Sequence, residues 1–310
     1  LEGKEEVTTK TVRALIQSFA PADNEGVLSP VPDPTIPMLN TRHGLVPFSK
    51  GVLLRSLMTS GLSVEQAFSF GQNIDDWLRG HAEHVFDEDE LNARLVSELA
   101  DQFGPSYARR FKLTNWIFHS PKPVILLIGG ATGTGKSTLA MELATRLRIR
   151  VVTGTDMIRE TIRTILSPEV APGLHHHSFR AMGAQGGLLS NPRERALVGF
   201  HQQAAQVGVG IRAVVRRAIQ ESSNIIIEGT HLVPPLEQYL PPGADVYFAG
   251  LMLSVHSKKA HKKRFPERSK TSPNRPPSDY LDAFQAVRWI HDDLIEMAGE
   301  HDVVVVSNMN

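Results

Sequence analysis

Eight consecutive residues, Gly130-Ala131-Thr132-Gly133-Thr134-Gly135-Lys136-Ser137, carry the clearest chemical signal in this sequence. They fit the spacing G-x-x-x-x-G-K-[ST], with an apolar run before them and a series of good helix formers after them. Glycine at 130, 133 and 135 opens backbone angles closed to other residues and lets N–H groups approach an anion closely. The start of the following helix adds partial positive charge. This is a phosphate cradle, a P-loop. It predicts that residues 130–138, through Thr138, hold a nucleoside triphosphate, with Lys136 on the β- and γ-phosphates. The Ser137 hydroxyl is placed to complete a Mg²⁺ shell.

Two carboxylates follow predicted strands, where an α/β sheet presents its ligand-binding edge. Asp156 comes after Val151-Val-Thr-Gly-Thr, and Glu228 after Asn224-Ile-Ile-Ile. One would hold Mg²⁺ through water and the other accept the proton of an attacking hydroxyl. The sequence does not assign the two roles. As a metal ligand Asp156 joins Ser137, and it also suits a helix N-cap. His231 competes for the base role. Arg159 and Arg163, four apart on the helix after Asp156, offer two guanidinium forks to an anionic acceptor. The densest basic run, Lys258 to Arg268, precedes a Ser/Pro/Asn-rich loop and reads as a closing lid, with Arg264 and Arg268 offsetting transition-state charge. The internal run His175-His-His177 cannot turn three rings into one site, and a substrate-contacting loop fits it better than a metal site.

The elements that must position these groups divide the chain in three. Residues 1–45 read as a short amphipathic helix over 5–19 and a linker with five prolines from Pro21 to Pro37. Residues 46–118 read as four helices: one opened by Ser49, one by a Ser63/Gln66 capping box, then Glu88–Phe103 and Pro105–Phe118. From residue 121 to 310 strands alternate with helices, which predicts a doubly wound parallel sheet. In that half the helix from Pro192 to Glu221 reads as interrupted at Gly208 and Gly210.

Composition sets limits. Lys+Arg and Asp+Glu both number 33, so no overall charge draws the chain to nucleic acid. Cysteine is absent, which removes disulfides and thiolate metal knuckles. No apolar run nears the ~20 residues that span a bilayer, and no apolar signal core opens the chain. The expectation is a cytoplasmic protein with a small-molecule partner, no membrane or nucleic-acid partner, and self-association left open.

Over about Val46 to Asn308 the chain resembles the 2-phosphoglycerate kinase family. The resemblance rests on Pro47-Phe-Ser-Lys-Gly51, Ile128 through Thr138, Gly154-Thr-Asp156-Met-Ile-Arg159-Glu160, Leu174-His175 with Ser178-Phe-Arg-Ala181, and Ile226-Ile-Glu228-Gly-Thr-His231-Leu-Val-Pro234. It implies a kinase-type P-loop fold preceded by a small helical ATP-cone-like domain. It also implies Mg²⁺-assisted transfer from ATP to 2-phosphoglycerate, with His175, Ser178 and His231 beside Asp156, Arg159 and Arg163 on the acceptor. The Pro-rich stretch stands where the β-hairpin of an ATP-cone would open. A kinase of another phosphorylated or carboxylated metabolite, such as an inositol phosphate, and an ATP-binding sensor without turnover are the competing readings.

Overall fold

The computed structural model describes residues 36–41, 44–81, 84–182, 189–271 and 277–308, with 267–271 and 277 described by backbone alone. The helix expected over 5–19 and most of the Pro-rich linker lie outside them.

The first unit opens with a hairpin, β1 (Met38–Thr41) against β2 (Gly44–Pro47), where the sequence suggests only linker. Helices α1 (Lys50–Thr59) and α2 (Val64–Arg79) follow, then strand β3 (Val85–Asp87) and helices α3 (Glu88–Phe103) and α4 (Pro105–Phe118). Strand β3 joins the hairpin in the order β2-β1-β3. The helix starts are local chemistry. Ser63 and Gln66 close the expected capping box on α2, and the Asp87 side chain accepts from the Asp89 and Glu90 N–H groups at the start of α3. Leu57, Phe70, Ile74, Leu95 and Leu99 fill the centre.

The second unit is a five-stranded parallel sheet in the order β5-β6-β4-β7-β8. Its strands are β4 (Val124–Gly129), β5 (Val151–Gly154), β6 (Ile225–Gly229), β7 (Tyr247–Ser254) and β8 (Val304–Ser307). The connecting helices are α5 (Lys136–Leu147), α6 (Thr155–Ile165), α7 (Pro192–Gln220), α8 (Lys258–Thr271), α9 (Pro277–Asp282) and α10 (Phe284–Glu300). Alternation along β4 explains its unbroken apolar run. Ile125 and Leu127 face the core built with α7 and α10, while Val124 and Ile128 face α5 and the end of α4. That second core includes Ile117, so α4 is anchored to the sheet. Asn224 fixes the junction by donating to the Ile117 carbonyl and accepting from the Val124 N–H.

From β4 the chain goes outward to β5, returns to β6 between them, and then crosses to β7 on the far side of β4. The connections leaving β4 and β6 therefore diverge, and a crevice opens at their carboxyl ends.

Helix α7 runs unbroken through Gly208 and Gly210, against expectation. A Cβ on Gly210 would meet the Ile158 Cγ2 of α6 at 2.5 Å. This glycine marks close helix packing rather than a break. No helix among the described residues is long and apolar enough to cross a membrane.

Candidate active site

The loop from Gly130 to Gly135 leaves β4 and enters α5 at the crevice. Gly130, Gly133 and Gly135 have φ of +138°, +84° and +97°, angles that L side chains rarely adopt. Gly135 is the α5 N-cap and makes no side-chain capping bond, so the first N–H groups of the helix are left for an anion. The Ala131 and Thr134 carbonyls, by contrast, are taken up. Lys136, almost buried, donates from Nζ to the Ala131 carbonyl at 2.8 Å, and Thr134 Oγ1 donates to the same oxygen at 3.0 Å. Arg264 Nη1 and Asn308 Nδ2 both donate to the Thr134 carbonyl, at 3.0 and 2.9 Å. Arg264 Nη2 also donates to the Asn308 carbonyl at 3.1 Å. Arg264 thus braces the loop while also lining the cleft. Arg268 lies in α8, with its side chain outside the described residues.

Glu228 sits on β6, between β5 and β4, in register with Ile128 of β4 and Gly154 of β5. Ser137 Oγ donates to its Oε1 at 2.8 Å. A Cβ on Gly154 would come within 3.4 Å of that oxygen, so a small residue leaves the carboxylate its room. Asp156 is not the cap of α6, because Gly154 is. It stands in the first turn, exposed to the cleft, with Arg159 Nε 3.8 Å from its Oδ1.

The cleft encloses about 950 Å³. Arg159, Arg163, His177 and Ser178 form its wall opposite the P-loop. Arg159 is largely covered, and its Nη1 donates to the carbonyls of Leu174 (3.2 Å) and His176 (2.8 Å). Arg163 pairs with Glu160. His177 stacks on Phe179 with centroids 5.1 Å apart. Burial first, then the nearby Arg159 charge, holds its pKa below the usual histidine value.

Two expected contacts are absent. His175 turns away from the cleft, and its Nε2 donates to the Leu166 carbonyl at 2.9 Å; the neighbouring His177 lines the wall. His231 is fully buried behind the site. Its Nδ1 accepts from Thr155 Oγ1 and its Nε2 donates to Gln203 Oε1, both at 2.9 Å. Gln203 Nε2 in turn donates to the Gly173 and His176 carbonyls, which requires that its oxygen be the acceptor and fixes the histidine tautomer. Burial lowers the His231 pKa to about 4, so the ring is neutral and positions the 172–178 segment. Among the described residues no three His, Cys, Asp or Glu side chains gather into a metal cluster.

Thr230, Tyr280 and Asn308 also line the cleft, and sequence reasoning passed over them. Position alone offered a signal for Thr230 and Asn308, which follow the ends of β6 and β8. Nothing local marks Tyr280. A second cavity, about 870 Å³, lies in the first unit against Asp87, Glu88, Asp89 and Lys112. A triphosphate there would face three carboxylates, so electrostatics favours the glycine-rich cleft.

No family model matches the chain. Among curated proteins it is 38% identical over 275 residues to the 2-phosphoglycerate kinase of Methanopyrus kandleri, covering 87% of this chain and 82% of that protein. Against the 2-phosphoglycerate kinase of Methanocaldococcus jannaschii it is 35% identical over 266 residues, covering 85% and 84%. Among solved structures, shikimate kinase from Acinetobacter baumannii in complex with shikimate aligns over 61% of this chain and 86% of that one, with 17% identity and a TM-score of 0.37. Identity at this level, extending through both structural units of the chain, is decisive: it belongs to the 2-phosphoglycerate kinase family.

Proposed function

We propose that the protein transfers the γ-phosphoryl group of ATP to the 3-hydroxyl of 2-phosphoglycerate, giving 2,3-diphosphoglycerate and ADP. One observation carries the reading. The uncapped N-terminus of α5 and the Ser137–Glu228 pair share a cleft with Asp156 and the two arginines of α6. Anion donors, carboxylates and acceptor-side cations then surround one volume, which is what in-line phosphoryl transfer requires.

The P-loop N–H groups and Lys136 bind the polyphosphate and offset charge on the transferring group. For Lys136 this means exchanging its bond to the Ala131 carbonyl for a phosphate oxygen. Ser137 and Glu228 fit Mg²⁺, as a hydroxyl and a carboxylate already in contact; the ion, when bound, neutralises phosphate charge. With Glu228 engaged by Ser137, Asp156 is left to accept the proton of the attacking hydroxyl. The hydroxyl oxygen bonds to the γ-phosphorus as the β–γ bridge bond breaks, and ADP leaves with the bridging oxygen. Arg163 and Arg159, whose Nε and Nη2 lie beside Asp156 and Glu160, receive the acceptor's own phosphate and carboxylate, with Ser178 beside them. Arg264 shapes the P-loop through its carbonyl contacts.

A coupled ADP-release assay comparing 2-phosphoglycerate, 3-phosphoglycerate and glycerate tests this. Turnover with 2-phosphoglycerate and near-background rates with glycerate are expected. ATP binding without acceptor-stimulated ADP release would replace the kinase with a nucleotide sensor. Faster turnover with a different phospho-acid would keep the reaction class and change the acceptor.

A further inference from the structure

Helix α8 holds the crown of the P-loop through a residue outside all the roles above. His261 is fully buried, and its Nε2 lies 2.8 Å from the Thr132 carbonyl. A carbonyl only accepts, so Nε2 carries the hydrogen. Its Nδ1 faces Arg288 Nη1 at 3.4 Å, and a guanidinium only donates, so Nδ1 presents its lone pair. The ring is therefore neutral, in a single tautomer chosen from both sides.

Arg288 is itself locked. It donates from Nη1 to the Val255 carbonyl and from Nη2 to Asp292 Oδ1, both at 2.7 Å. Asp292 also accepts from His291 Nδ1 at 2.8 Å, and His291 Nε2 accepts from the Val255 N–H at 3.1 Å. The chain of bonds thus runs from the end of β7, through one turn of α10, to the carbonyl at the top of the phosphate loop. Phe265, one turn along α8, stacks on His261 with centroids 5.6 Å apart. A Cβ on Gly133 would meet that phenyl ring at 2.9 Å and His261 Nε2 at 3.1 Å. Packing and hydrogen bonding converge on the two loop residues, Thr132 and Gly133, farthest from the strand and helix that anchor the loop. Without them the Thr132–Gly133 peptide is free to rotate and turn its carbonyl toward a bound phosphate.

We propose that His261 is a positioning residue for nucleotide binding, acting by keeping the Thr132 carbonyl turned out of the phosphate site. This rests on the phosphoryl-transfer reading only in requiring that the loop bind nucleotide.

Two variants separate its two nitrogens. His261→Asn reaches no farther than Nδ1, keeping an acceptor for Arg288 and losing the donor to Thr132. His261→Gln carries an amide to the Nε2 position and keeps that donor. Titration calorimetry with magnesium ATP is expected to show Kd raised about 10-fold in His261→Asn and within about 3-fold of the parent in His261→Gln, the size of one lost hydrogen bond. The KM for the acceptor should stay within about 2-fold in both. Glu296→Ala, exposed on α10, is the unchanged control. Circular dichroism and melting temperature check that each variant folds. Equal ATP affinity in folded Asn and Gln variants would overturn the proposal, as would the reverse order or a parallel rise in both KM values. Should His261→Asn not fold, an ATP Kd in His261→Gln raised as far as 10-fold would count against it, and an unchanged one in its favour. A parent protein that binds no ATP would sink the kinase reading itself, and this inference with it.

Discussion

Ser137 and Glu228, 91 positions apart in sequence, meet hydroxyl to carboxylate at 2.8 Å where β4 and β6 lie side by side. This contact between a hydroxyl and a carboxylate is what supports the magnesium role proposed for the pair. Glu228→Gln preserves the hydrogen bond and removes the charge. Its kcat should fall about 10²-fold or more, with a raised Mg²⁺ requirement and an unchanged melting temperature. Steady-state kinetics across a Mg²⁺ titration read this out, and near-parental kcat at saturating Mg²⁺ would remove Glu228 from the chemistry.

Arg159 and Arg163 share a helix face but not a task. Arg163→Ala should raise the acceptor KM about 10-fold and leave the KM for ATP alone. Arg159 also holds the Leu174 and His176 carbonyls, so Arg159→Ala should cost both acceptor KM and kcat as the His177–Ser178 wall loosens. A change confined to the ATP KM in either variant places that arginine on the wrong ligand.

Stability should fall on mild acidification. The His231 pKa is about 4 in the folded chain because burial disfavours its cation, against about 6.5 when unfolded. Between those values the unfolded chain binds more protons, so the contribution is complete above pH ~6.5 and is lost as pH drops toward 4. His261, also lowered to about 4 by burial, and His291 act in the same direction. Melting temperature should therefore drop by roughly 5–10 °C from pH 7 to pH 4.5, and less in His231→Gln. A flat profile over this range in the parent protein would contradict the buried neutral rings.

Two glycines of α7 should respond oppositely to alanine. Gly208 has only ordinary contact, with Tyr239 Cε1 3.5 Å from an added Cβ, so Gly208→Ala gains up to about 1 kcal/mol of helix propensity. At Gly210 the added methyl strikes the buried, β-branched Ile158 at 2.5 Å and Ile162 at 3.1 Å, and Gly210→Ala should lose about 1–3 kcal/mol. Denaturant melts distinguish the signs, and a stabilised Gly210→Ala would refute the close-packing account of this helix.

What the sequence determined by itself was whatever short stretches of chain decide. The P-loop is contiguous, and its glycine angles and helix start follow from neighbouring residues. The β4 run, the Ser63/Gln66 capping box and the placement of Asp156 and Glu228 at strand ends are equally local. Tertiary structure decided which side chains complete the cradle. The bonds of His261 and Asn308 to the P-loop span 129 and 174 positions, and the strand order β5-β6-β4-β7-β8 creates them. It also chose His177 over His175 for the wall and buried His231 behind Thr155, because a one- or two-residue step along a turn reverses where a ring points. The glycines of α7 read as breaks for the same reason: helix propensity is a property of the segment, whereas the room for a Cβ belongs to the helix packed across from it.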